Sequence, residues 1–160
     1  MSNYYTQFCT AIKASNDDAD WCEKHMALFG EFECILSADD LEEGEDESDF
    51  IEYQSLCKLY GLDDGDCSPD FEWEYDEDSG LFILSATDHG KPEHAATFLR
   101  EYLRARHPKR CHYFTWANGC SRTELGAFGG GGVFITANSI EWNIAHIWAE
   151  EKSKEFEKSN

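Results

Sequence analysis

Cys120 follows Gly119 and precedes Arg122 by two residues, in a stretch with the composition of a loop. A nearby guanidinium lowers a thiol pKa, and the thiolate is the reactive form. His89, His94, His107 and His112 are the imidazoles available as a base. A Cys–His nucleophile also needs hydrogen-bonding contact and an oxyanion site, and the spacing supplies neither. Cys120 therefore reads first as a packed or idle thiol. No catalytic residue is assigned, and the chain is expected not to be an enzyme.

Gly129, Gly130, Gly131 and Gly132 invite comparison with a phosphate cradle. Such cradles follow a strand and open a helix, whose N-terminal amides hold the anion. These glycines instead precede the strand-like run Val133–Thr136, and no Gly-Lys-Ser/Thr follows. A bulge, or a close crossing of backbone over an aromatic ring, explains them better.

Metal chemistry fares no better. His107, Cys111, His112 and Cys120 have the right atoms for zinc, which wants four converging ligands. Cys111 and His112 are neighbours on a predicted strand, however, and point to opposite faces. The loops Asp39–Gly44 and Asp63–Asp66 are rich in hard oxygen donors, yet Leu41 takes a ligand position of the calcium-loop pattern. No metal and no cofactor is expected.

The charge distribution is more informative. Residues 1–80 hold 24 acidic and 3 basic side chains, whereas residues 81–160 hold 9 and 10. Lys58 is the one cation among 18 carboxylates between Asp39 and Asp78. The expected interaction surface comprises Asp39, Asp40, Glu42, Glu43, Glu45, Asp46 and Glu47, then Asp49 and Glu52. It continues through Asp63, Asp64, Asp66 and Asp70 to Asp76, Glu77 and Asp78. This field repels nucleic acid and anionic membrane, so its partner is expected to be a basic protein surface. The opposing cluster Arg100, Arg104, Arg106, Lys109 and Arg110 is expected to pair with the protein's own carboxylates.

The elements that position these groups follow from periodicity. Residues 4–14 and 18–29 read as helices, the second capped by Asp17 or Asp18 and stopped by Gly30. Residues 31–36 partly alternate and read as a strand. Ser48 is placed to cap a helix over 49–60, with Phe50, Ile51, Tyr53, Cys57 and Tyr60 inward and Gly61 as its stop. Phe71–Tyr75 and Leu81–Leu84 form a hairpin around Asp76–Gly80. Pro92 opens a helix that ends near His107-Pro108, and strands follow at 111–116 and 133–136. Asn138 and Glu141 have capping-box spacing and Ile140, Ile144, Ile147 and Trp148 share one helical face, although Ile140, Trp142 and Ile144 also alternate; the charged tail Glu150–Lys158 decides for a final helix.

The expected fold is α+β: about four antiparallel strands in ββαββα order, with helices on one face. A mostly helical acidic part (residues 1–70) precedes the α+β unit (71–160) within a single domain. Seven cysteines at wide spacings, with no signal peptide and no membrane-length apolar run, point to a cytoplasmic protein without disulfides.

Trp116-Ala117-Asn118-Gly119-Cys120-Ser121, then Phe128–Ala137, resembles a group of short bacterial, plasmid- and phage-associated proteins. The group shares a W-A-x-x-C-S segment, an F-G-G-G turn and a strand ending in Thr-Ala. The likeness runs from about Phe71 to Trp148. It implies an architecture and a mobile-element setting, but no activity. The function expected is an acidic protein-interaction module, a nucleic-acid mimic that inhibits a host nucleic-acid-binding or defence protein. The alternative is a small enzyme or ligand-binding domain using Cys120, Arg122, Gly129, Gly130 and Gly131.

Overall fold

A computed structural model describes residues 3–32, 41, 46–62, 68–122 and 128–159. The first correction comes at the N-terminus. Tyr4–Lys13 is not a helix but a strand, β1, with Phe8, Thr10 and Ile12 buried on one side and Gln7, Cys9 and Ala11 exposed on the other. Phe8 and Ile12 are four apart and mimic a helical stripe. Thr10, a polar residue facing the core, hides the period of two. Its hydroxyl is satisfied by His112 Nε2 at 2.7 Å.

Helix α1 (Asn16–Glu31) starts two residues earlier than expected. Ser15 is its cap, in a capping box with Asp18, so Asp18 serves as the reciprocal partner. The helix runs through Gly30 and closes at Phe32, which packs on Phe50. The expected strand at 31–36 therefore fails at its start, and residues 33–36 lie outside the described chain. Helix α2 (Glu47–Tyr60) is capped by Asp46, whose carboxylate accepts from the Ser48 amide, and ends at Gly61 with φ 67°. Phe50, Tyr53 and Tyr60 face inward as expected, joined by Leu56, while Ile51 is exposed.

Strands β2 (Glu72–Asp76) and β3 (Leu81–Ala86) form the expected hairpin. Helix α3 (Pro92–Arg106) buries Ala95, Phe98, Leu99, Tyr102 and Leu103. Strand β4 (Cys111–Cys120) is longer than expected, and β5 (Gly129–Thr136) takes the glycines into the sheet. Ile140–Ile144 is a strand, β6, and only from Ala145 does helix α4 (Ala145–Ser159) begin. The capping-box spacing misleads here. Thr136 and Ser139 instead bond to each other in a tight turn, leaving the alternating isoleucines to pair with β5.

The six strands form one antiparallel sheet in the order β2-β3-β1-β4-β5-β6, and the chain order is βααββαβββα. The α+β class is as expected, whereas the four-strand count and the ββαββα order are corrected. Because β1 pairs with both β3 and β4, the acidic N-terminal part contributes a central strand of the same sheet.

The core lies between one sheet face and the helices. Phe82 stacks on Phe98 at 5.4 Å, and Trp21 packs against Phe98 and Tyr102. Each fully buried ring of this kind contributes about 1.5–3 kcal/mol. His25 sits among these rings, bonded to Tyr60 Oη at 3.0 Å, and burial pulls its pKa down to about 4. The other sheet face carries Gln7, Cys9, Ala11, Tyr113, Thr115 and Phe134, all exposed.

Candidate functional site

Among the described residues strand β2 is an edge of the sheet, and its two faces differ sharply. Trp73 lies over Phe82 with rings 5.5 Å apart and 16° from parallel, and the Tyr75 hydroxyl donates to Asn16 Oδ1 at 3.0 Å. The alternation then turns Glu72, Glu74 and Asp76 to the opposite face. Two residues of strand separate successive carboxylates by about 6.7 Å. Glu77 and Asp78, both exposed, extend the row into the turn.

The turn is shaped by one of its own acids. Asp76 accepts from the Asp78 amide at 3.1 Å and the Ser79 hydroxyl at 2.6 Å. The Ser79 hydroxyl bond holds the Asp76 pKa below its ordinary value, keeping it ionised. Gly80, at φ 64°, closes the turn, and its carbonyl accepts from the Ala14 amide at 3.0 Å. That bond ties the turn to the start of α1, where Asp17 and Asp20 are exposed.

The sequence-predicted acids divide accordingly. Asp76, Glu77 and Asp78 belong to this row. Asp46, Glu47, Asp49 and Glu52 form a separate group on the first turns of α2, in the helix layer. Asp46 there accepts from the Ser48 hydroxyl and amide at 2.6 and 2.7 Å, and the hydroxyl bond lowers its pKa. Asp70 is neutralised by Lys91 at 3.1 Å. Asp39, Asp40, Glu42, Glu43, Glu45, Asp63, Asp64 and Asp66 lie outside the described residues. The expected surface leaves out Glu72 and Glu74, which enter only as members of the alternating strand Phe71–Tyr75. The signal was there: an acid at every second position from Asp70 to Asp76.

Three of the five cations in the basic cluster pair with carboxylates of the fold, as expected, and Arg110 is held by a carbonyl instead. Arg100 and Arg104 hold the two oxygens of Glu101 at 2.9 and 3.1 Å, and Arg104 also donates to the Ala137 carbonyl. Arg106 meets Asp18 at 2.9 Å, and Arg110 donates to the Lys13 carbonyl at 3.2 Å. Among the described residues, Glu72, Glu74, Glu77 and Asp78 have no such cation.

Among the described residues the Cys120 segment does not assemble a reactive centre. Cys120 is half-buried at the end of β4, opposite Tyr4. Cys111 and Cys120 begin and end β4, about 30 Å apart along a strand. His112 is held by Thr10, His107 by Asp18, and His94 Nδ1 accepts from the Asp70 amide. No cluster of metal-ligating side chains occurs among the described residues.

The glycines serve the crossing expected of them. A Cβ on Gly131 would lie 2.7 Å from the Trp116 indole and 2.4 Å from the Asn143 carbonyl. Gly130, at φ 142°, passes 2.3 Å from the Trp116 carbonyl by the same measure. Gly129 to Gly132 thus pair along β4 and β6 as strand, with no helix N-terminus to receive an anion. Arg122 lies just beyond β4 and is exposed.

The far end of the sheet has a different character. Tyr113, Phe134 and Glu141 form one cross-strand row on the open face, Thr115, Gly132 and Asn143 the next, and between them runs a shallow groove of about 430 Å³. Comparison with known proteins adds no likeness: no family model, curated protein or solved structure matches the chain. Among the described residues no helix is long and apolar enough to cross a membrane.

Proposed function

We propose that this chain is a non-enzymatic, cytoplasmic interaction module whose acidic sheet edge occupies a basic groove of another protein. The observation that carries the reading is the row Glu72, Glu74, Asp76, Glu77 and Asp78. It lies on an edge strand and its turn, and no cation of the described fold answers Glu72, Glu74, Glu77 or Asp78.

Two carboxylates about 6.7 Å apart repel by about 0.6 kcal/mol even in bulk water. The hairpin holds them together regardless, so an approaching cationic surface meets a preformed field. Each strand of duplex DNA places one phosphate per about 3.4 Å of axis, and the β2 row matches every second one. A nucleic-acid-binding protein is the partner class that this spacing fits. The setting suggested by the sequence resemblance makes a host defence nuclease a concrete instance. Competition for such a groove gives inhibition without chemistry, with fast, electrostatically steered association.

The test is co-purification from the native host, followed by a salt titration and competition with duplex DNA or RNA. The expected complex weakens steeply with salt and is displaced by nucleic acid. Glu72→Gln, Glu74→Gln, Glu77→Gln and Asp78→Asn together should weaken it at least about tenfold. Salt-insensitive binding, or full affinity in the fourfold variant, would sink the reading. The alternative reading, a small enzyme or ligand-binding domain using the Cys120 segment, gains no support from a half-buried thiol and glycines that pair as strand.

A further inference from the structure

We infer that the chain is a two-fold symmetric dimer, joined through strand β6 and helix α4 at the sheet edge opposite the acidic one. The inference is independent of the partner proposed above.

The first observation is α4 itself. Every residue of Ala145–Ser159 whose exposure is described is exposed, including Ile147 at 43% and Trp148 at 54%. A lone helix of this length is marginal in water and gains its stability from packing a face. Its start lies against β5 and β6, yet among the described residues it buries no side chain.

The second observation is the contrast between the two sheet edges. An edge strand offers unpaired amides and carbonyls to any other strand, and proteins commonly block it with charge. β2 is blocked in this way by Glu72, Glu74 and Asp76. β6 reads Ile-Glu-Trp-Asn-Ile, with a single charge and with Trp142 exposed at 39%. It is open to pairing.

Charge then selects the occupant. Residues 1–80 carry a net −21, whereas β6 and α4 hold five acidic and three basic side chains, a net of only −2. The β6–α4 end is the place where two copies of a molecule of net −20 can meet with little repulsion. A strongly basic partner would gain little there. Helix α4 carries both signs, with Glu150, Glu151, Glu155 and Glu157 set among Lys152, Lys154 and Lys158, a pattern that tolerates its own copy.

Size agrees. β6 and α4 together supply 20 residues, about what one side of a standard stable interface contributes. Antiparallel pairing is self-complementary, so a two-fold axis through Trp142 sets Ile140 of one copy against the partner subunit's Ile144. The result is a continuous sheet of 12 strands, with one acidic β2 edge at each outer end.

Sedimentation equilibrium of the full chain at moderate salt tests this directly. The expected result is a mass twice that of the chain at micromolar concentration. Trp148→Glu and Trp142→Lys should each raise the dimer dissociation constant about thirtyfold or more, the loss typical of a tryptophan anchor. Trp148 is exposed in the single chain, so far-UV circular dichroism should show the fold retained in Trp148→Glu. Trp142 also packs edge-on against Trp116 at 5.4 Å, so the urea midpoint of Trp142→Lys is measured beside its dissociation constant. A chain-mass species at every concentration overturns the inference. So does a dimer unchanged in both variants, or an open-ended series of larger species.

Discussion

Asp18 joins two distant parts of the chain through one carboxylate. It accepts from the Ser15 amide at 3.0 Å and the Ser15 hydroxyl at 2.9 Å, and meets Arg106 Nε at 2.9 Å and His107 Nε2 at 3.0 Å. The start of α1 is thereby clamped to the end of α3. Burial alone would raise the Asp18 pKa, but the bonds from the Ser15 backbone, Arg106, His107 and the Ser15 hydroxyl outweigh it and hold the carboxyl well below the usual range. A folded-state pKa below the unfolded one adds stability that is fully present above about pH 3.9 and is lost as pH falls further. Asp18→Asn should therefore lower stability by about 2–4 kcal/mol at pH 7, because Arg106 then faces an uncharged partner. Urea unfolding of both proteins from pH 7 to pH 3 should show the gap narrowing below about pH 4. A gap that stays constant across that range would mean that the charge on Asp18 is not what stabilises the clamp.

At the scale of elements, the β4–β5–β6 ribbon depends on two glycines and is indifferent to a third. Gly131→Ala must push aside the Trp116 ring or the Asn143 carbonyl, and should cost about 1–3 kcal/mol. Gly132→Ala meets Thr115 Cγ2 at 3.7 Å, an ordinary contact, and should change stability by no more than about 0.5 kcal/mol. Thermal denaturation of the two variants separates them, and equal losses would refute the crossing. This role for the glycines was legible, because a glycine run ahead of a strand and after a tryptophan has few other uses. So were the β2–β3 hairpin and α3, whose apolar positions obey one period throughout. β1 and β6 were not. In β1 a buried threonine breaks the apolar alternation, and its partners β3 and β4 lie some 70 to 110 residues away, where no local pattern can announce them. In β6 a capping-box spacing and the charged tail behind it competed with a two-residue period, and the tail belongs to α4 alone. The acidic row was half legible: its members were all visible, but only the pairing of β2 as an edge shows which carboxylates share a face.

Across the whole molecule, the charge that suits a basic partner acts against the fold. Residues 1–80 carry a net −21, and the β2 row concentrates part of it on one strand face. At about 10 mM salt the screening length is about 30 Å, so this repulsion reaches across the domain, whereas at about 0.15 M it falls to about 8 Å. Adding salt should therefore raise the urea midpoint of the native protein, the reverse of its effect on binding. The fourfold variant, Glu72→Gln, Glu74→Gln, Glu77→Gln and Asp78→Asn, removes neighbouring repulsions worth about 0.6 kcal/mol each in water. It should unfold at higher urea than the native chain, by about 0.5–1.5 kcal/mol at low salt, and respond less to added salt. The four side chains are exposed, and none of them is a hydrogen-bonding member of the Asp76 turn. Nothing in the folded chain is thus lost by neutralising them. A row kept for a partner should cost stability in this way, since binding surfaces commonly trade it for function. If the variant instead proves less stable than the native protein at every salt concentration, the carboxylates serve the hairpin itself. The acidic edge would then be a structural feature with no need of a partner.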